Sequence, residues 1–86
     1  MTKQLSILGS TGSIGRQTLD VAQHLGLGVA ALTAHRDAVR MEEQIRQFRP
    51  GLAVLTDEDA ARDLKVRVRD LPVRVASGPE ALVEAA

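Results

Sequence analysis

The chain has 86 residues, which allows one domain with a small core. Its 11 basic and 11 acidic side chains cancel, so the charge balance gives no support for nucleic acid or an anionic membrane as a partner, and the lack of cysteine excludes disulfides and thiolate metal sites. No apolar run reaches the ~18 residues that span a bilayer, and the N-terminus lacks the features of a secretory signal, so a soluble cytoplasmic domain is expected.

Residues 4–8 are predicted as the first strand, through the short run Leu5-Ser6-Ile7-Leu8. The run feeds into Gly9-Ser10-Thr11-Gly12-Ser13-Ile14-Gly15. Ile14, Thr18, Val21 and Leu25 then recur at helical spacing, which predicts a helix from about Ser13 to Leu25 with those side chains on its apolar face. Strand, glycine turn and helix is an architecture that binds phosphate. The turn exposes backbone N–H groups, and the helix start adds roughly half a positive charge.

The glycines are spaced G-x-x-G-x-x-G, where the commoner dinucleotide fingerprint is G-x-G-x-x-G. Gly9 permits a sharp exit from the strand, Gly12 lets a pyrophosphate approach the backbone, and Gly15 lets the helix pack closely on the strand. Ser10, Thr11 and Ser13 add hydroxyl donors, and Ser13 is the candidate N-cap. A glycine-rich turn with no ligand is the plain alternative. The position of the turn, after a first strand and before a patterned helix, favours binding. Gly26 follows the helix, where a left-handed residue is cheapest for glycine, and His24 reads as a solvated helix end.

Gly28 to Thr33 is a nearly continuous apolar run, as expected of a strand covered on both faces. Ala38, Met41, Ile45 and Phe48 form the apolar stripe of a second helix, with Asp37 as N-cap and Arg49-Pro50-Gly51 as its stop. Leu52 to Leu55 is the third strand. Thr56 and Asp59 suggest a weak capping box before a third helix, whose buried side is predicted as Ala61, Leu64, Val68 and Leu71. The charged residues between them read as a solvated surface. Val73 to Ala76 is a weaker fourth strand, of edge character because of Arg74, and Ser77-Gly78-Pro79-Glu80 begins a last short helix.

The fold class is therefore α/β: four βα units forming a Rossmann-like parallel sheet, with right-handed crossovers and helices on both faces. Pairing of the fourth strand beside the first or beside the third is left open by the residues.

Thr33-Ala34-His35-Arg36 stands where NAD-binding folds carry a carboxylate for the ribose hydroxyls, about 20 residues beyond the glycine motif. Here that carboxylate is missing, and Arg36 would attract a 2′-phosphate, which favours NADP(H) over NAD(H). Asp37 bears on the preference: capping the second helix would satisfy its charge locally, whereas turning to the ribose would weaken it. His35 is a candidate to stack on the adenine or touch the phosphate, with a plain surface histidine as the alternative. No paired acid and base and no metal-ligand spacing is visible. Asp57, Glu58 and Asp59 are explained by a helix start.

The run from Lys3 to Gly15, followed by Gln17-Thr18-Leu19-Asp20-Val21, resembles the N-terminus of the 1-deoxy-D-xylulose 5-phosphate reductoisomerase family. Ala31 to Asp37, Gln47-Phe48-Arg49-Pro50 leading to Ala53-Val54, and Ser77 to Leu82 resemble it as well. The resemblance implies NADPH as cofactor and a divalent metal, Mg or Mn, in the full-length enzyme. It also implies conversion of 1-deoxy-D-xylulose 5-phosphate to 2-C-methyl-D-erythritol 4-phosphate for isoprenoid precursors. Thr11, Gly12, Ser13 and Ile14 become the cofactor-binding part of the glycine turn, with His35, Arg36 and Asp37 at the ribose. The family usually has a glycine, a basic residue and an asparagine at that second turn, so His35 and Asp37 depart from it while Arg36 keeps the charge. The resemblance places the fourth strand on the far side of the third, leaving the first strand as an edge. It also makes the chain the first part of a longer cofactor-binding domain. The metal, the sugar-phosphate substrate and a homodimer interface would then belong to the longer enzyme. Other readings are an NADP-dependent dehydrogenase of the aspartate-semialdehyde dehydrogenase type and a stand-alone nucleotide- or CoA-binding module.

Overall fold

A computed structural model describes residues 4–78 and Ala81. Its elements are β1 (Gln4–Ile7), α1 (Ser13–Leu25), β2 (Gly28–Ala34), α2 (Ala38–Phe48), β3 (Leu52–Leu55), α3 (Glu58–Arg67) and β4 (Arg74–Ser77). The four strands pair in parallel in the order β1-β2-β3-β4. The fourth strand thus lies beside the third, and β1 is an edge. Of the last predicted helix, Glu80 lies outside the described residues, and Ala81 is helical and buried.

The chain steps always in one direction across the sheet, so right-handed crossovers stack α1, α2 and α3 on one face. The main core lies there, with Ile7, Leu19, Leu32, Met41, Ile45, Leu55 and Leu64 in one cluster. Ala31, Val54 and Ala81 form a smaller cluster on the other face, flanked by Leu52 and Ala76. Ala81, from the last predicted helix, thus meets the face opposite the three helices. A register shift between β1 and β2, opposite Ala30, puts Val29 in the helix-side core and Ala31 on the far side.

The second helix follows its sequence pattern: Ala38, Met41 and Ile45 are buried, and Phe48 packs against the same core. Gly26 takes a left-handed φ of 68° after α1, as expected. The first helix differs. Ile14, Val21 and Leu25 are exposed at 78%, 55% and 67%, and the buried residues are Gly15, Leu19 and Ala22. The two stripes are one residue apart, about 100° around the helix. Close contact of Gly15 with the preceding turn fixes the rotation and leaves the Ile14 stripe outside. Two caps also differ from expectation. Gly12, extended at φ −77° and ψ 169°, precedes α1 in place of Ser13, which is already helical. Asp57 caps α3 in place of Thr56, accepting the Ala60 N–H at 3.1 Å. Thr56, just past β3, is still tied to the neighbouring strand, its N–H donating to the Ala34 carbonyl at 3.1 Å.

Candidate functional site

The carboxyl ends of β1, β2 and β3 lie along one edge of the sheet, and the turns that follow them are tied together there. Gly9 leaves β1 at a positive φ of 69°, where a side chain would be strained. Its N–H donates to Thr33 Oγ1 at 3.1 Å, and the Ser10 N–H donates to the Thr33 carbonyl at 2.7 Å. One residue at the end of β2 thus holds two consecutive amides of the glycine turn. The Ser10 carbonyl accepts from Gln44 Nε2 of α2 at 2.7 Å. The Gly12 N–H closes the turn onto the Gly9 carbonyl at 3.1 Å.

Helix α1 begins at once, and its first backbone bond joins the Arg16 N–H to the Gly12 carbonyl at 2.9 Å. No side chain caps it. The N–H groups of Ser13 and Ile14 therefore point out of the helix end without an intrahelical partner, at the positive pole of the helix. A Cβ on Gly12 would have only the Gly9 carbonyl oxygen near it, at 3.4 Å, so the space above this residue is open. A groove of about 390 Å³ runs along the turn, lined by Ser6, Leu8, Gly9, Gly12, Ile14 and Thr18 among others. A second cavity of about 320 Å³ adjoins it through Leu8 and Gly9 and continues past Thr33, Ala34, His35 and Thr56. Clefts at the carboxyl ends of parallel strands are where α/β sheets bind ligands.

Gly12, Ser13 and Ile14 line the groove, and Thr11 lies in the turn just before them. Ser10 does not offer its hydroxyl to a ligand: it is fully buried, and its Oγ has no partner. His35 is exposed, with Nδ1 2.7 Å from Thr56 Oγ1. Arg36 is exposed and forms no ion pair with any described residue. Asp37 caps α2, its Oδ1 accepting from the Arg40 N–H at 3.0 Å, and its other oxygen lies 3.4 Å from the Arg40 guanidinium. Its charge is therefore satisfied within α2.

Thr33 and Gln44 were missed by sequence reasoning. Each carried a signal. Thr33 is the polar end of an apolar run, and Gln44 is a polar residue three positions after Met41 on a buried stripe. Among the described residues no group of three or more His, Asp or Glu is placed to hold a metal ion. No helix among them is long and apolar enough to cross a membrane.

A one-directional parallel sheet, a glycine turn opening an uncapped helix, and a basic turn after the second strand define a Rossmann-like α/β unit with its site at the strands' carboxyl ends. Comparison with known proteins narrows the class. Residues 5–86 match the family model described as 1-deoxy-D-xylulose 5-phosphate reductoisomerase, and the chain belongs to that family. The 1-deoxy-D-xylulose 5-phosphate reductoisomerase of Moorella thermoacetica is 52% identical over 88 residues, an alignment that takes in all of this chain and 23% of that protein. The solved reductoisomerase of Zymomonas mobilis in complex with NADPH superposes with a TM-score of 0.92 at 34% identity, over 99% of this chain and 23% of its own. A DOX-P reductoisomerase solved with NADPH, fosmidomycin and magnesium gives a TM-score of 0.89 at 30% identity, over 96% of this chain and 21% of its own. The chain thus spans less than a quarter of these relatives.

Proposed function

We propose that this chain is the NADPH-binding N-terminal portion of a 1-deoxy-D-xylulose 5-phosphate reductoisomerase. The observation that carries the reading is the uncapped start of α1 over the open space at Gly12, together with an exposed Arg36 in the turn after β2 that has no ion-pair partner among the described residues. These residues fit the cofactor. The N–H groups of Ser13 and Ile14 and the hydroxyls of Thr11 and Ser13 would hold the pyrophosphate, where a helix start favours negative charge. Ile14 adds an apolar wall, as its exposed side chain allows. The adjoining cavity would take the adenosine, with His35 at its side and Arg36 reaching the 2′-phosphate. Asp37 would act through α2, which it caps, and its pairing with Arg40 limits repulsion of the phosphate.

The bound cofactor supplies hydride; this chain supplies its position and the charges that select it. In the longer protein that hydride would serve the conversion of 1-deoxy-D-xylulose 5-phosphate to 2-C-methyl-D-erythritol 4-phosphate. The Mg or Mn ion and the sugar phosphate would be held by residues of the longer protein. A cytoplasmic location and a homodimer of the longer protein complete the reading. Fluorescence titration of the chain with NADPH tests it. Saturable binding abolished by Gly12→Val, with the fold retained, supports the reading; equal binding by that variant removes the phosphate from this turn.

A further inference from the structure

Ser10 is the residue on which the glycine turn is hung. It is fully buried, and both of its backbone groups are held from outside the turn: the N–H by the Thr33 carbonyl and the carbonyl by the Gln44 amide, each at 2.7 Å. Gln44 lies 34 residues away on α2 and is itself only 8% exposed. Among the described residues it is the one α2 side chain hydrogen-bonded to the turn. Glycines at 9 and 12 flank this anchor and leave the chain there conformationally permissive, so bonds from outside the turn add to what holds it. The anchor comes with an unfavourable feature. Gln44 Oε1 and Ser10 Oγ are buried without partners, a cost that packing alone would avoid with apolar residues of similar shape.

We infer that Gln44 is a positioning residue for cofactor binding, acting through the Ser10 carbonyl to set where the N–H groups of Thr11 to Ile14 stand. The inference rests on the cofactor reading above. Without the amide donor the buried Ser10 carbonyl loses its partner, and the turn moves or fluctuates while the sheet remains. Binding of the pyrophosphate suffers first, because donors must meet charge at hydrogen-bond distance. A ligand confined to the Arg36 turn is spared.

The test compares the chain with Gln44→Met, which keeps the shape and removes the donor, and with Gln44→Glu. Backbone amide exchange is followed by NMR, and NADPH and adenosine 2′-monophosphate are titrated. For Gln44→Met, exchange at Gly9 and Ser10 should quicken while Val54 and Leu55 stay within about twofold, and NADPH should bind about tenfold more weakly with adenosine 2′-monophosphate unchanged. Gln44→Glu should behave alike at neutral pH. It should regain protection at Ser10 in mild acid, because burial raises its pKa and the protonated carboxyl can donate to the Ser10 carbonyl. This pH-dependent rescue decides the matter if Gln44→Met does not fold. Exchange that is unchanged at the turn, or quickened evenly through the chain, overturns the inference, as does quickened exchange with NADPH affinity intact. Failure of the parent to bind NADPH overturns the cofactor reading instead, while the exchange arm still reports whether Gln44 holds the turn.

Discussion

Gly15 and Gly9 touch so closely that a Cβ on Gly15 would stand 2.2 Å from the Gly9 carbonyl oxygen and 2.7 Å from Ser10 Cα. Both obstacles are backbone, which cannot rotate away. The contact seats the first turn of α1 on the end of β1, and it decides which side of the helix meets the sheet. Gly12 is different: its missing side chain leaves room for something outside the chain. The two glycines therefore separate folding from binding. Gly15→Ala should destabilise the chain by about 1–3 kcal/mol or more, since overpacking must displace backbone. Gly12→Ala should cost no more than about 1 kcal/mol, the scale of a helix-cap change, yet weaken NADPH binding. Urea denaturation of both variants, with NADPH titration of the folded one, checks this. Equal destabilisation by the two would mean that Gly12 is also a packing residue.

The rotation of α1 makes a second prediction. Leu19 is 3% exposed in the main core, whereas Val21 faces outward. Leu19→Ala should cost about 2–5 kcal/mol, enough to unfold much of so small a domain. Val21→Lys should stay within about 0.5 kcal/mol of the parent. Circular dichroism melts would show the contrast. The reverse order would mean that the helix lies on the Ile14 stripe after all.

A third prediction concerns acid. Arg46 of α2 donates to both oxygens of Asp70, at 3.0 and 3.1 Å, and also to Glu42 at 3.1 Å. The hydrogen bonds from Arg46, ahead of a backbone bond, hold the Asp70 carboxyl below the usual carboxylate range. A lowered folded pKa contributes stability that is complete above the unfolded value and is lost as pH falls through the folded value. The pair is exposed, so its effect is small and screened by salt. Melting temperature should therefore fall less steeply below the carboxylate range in Asp70→Asn than in the parent, and high salt should narrow the difference. Parallel curves at low salt would remove the pair from the acid sensitivity.

Legibility in the sequence varied by element, for physical reasons. The second helix was plain because Ala38, Met41, Ile45 and Phe48 are its single apolar stripe. The first carries two stripes, and the choice between them was made by backbone contact at Gly15, which no hydrophobic pattern records. The glycine turn was legible in its spacing and position. Its supports were not, because Thr33 and Gln44 act through hydrogen bonds reaching 24 and 34 residues along the chain. The cap of α3 passed from Thr56 to Asp57 because the Thr56 N–H is bonded to the Ala34 carbonyl of β2 and its hydroxyl lies 2.7 Å from His35 Nδ1. The strand order followed from the family resemblance, since the residues themselves admit both placements of β4.

We propose that the turn after β2 selects NADPH by the charge of Arg36. Arg36 is exposed and has no ion-pair partner among the described residues, and the carboxylate that follows it in the chain, Asp37, is engaged by α2. A hydrogen bond to a charged group contributes about 1.5–3 kcal/mol, and exposure moves this one to the lower end, near tenfold in affinity. The direct measurement is fluorescence titration with NADPH and with NADH, for the parent and for Arg36→Ala, at low and high salt. The variant should lose about tenfold in NADPH affinity and keep its NADH affinity, and the parent's preference for NADPH should shrink as salt rises. An equal loss for both cofactors, or no loss for either, would contradict it.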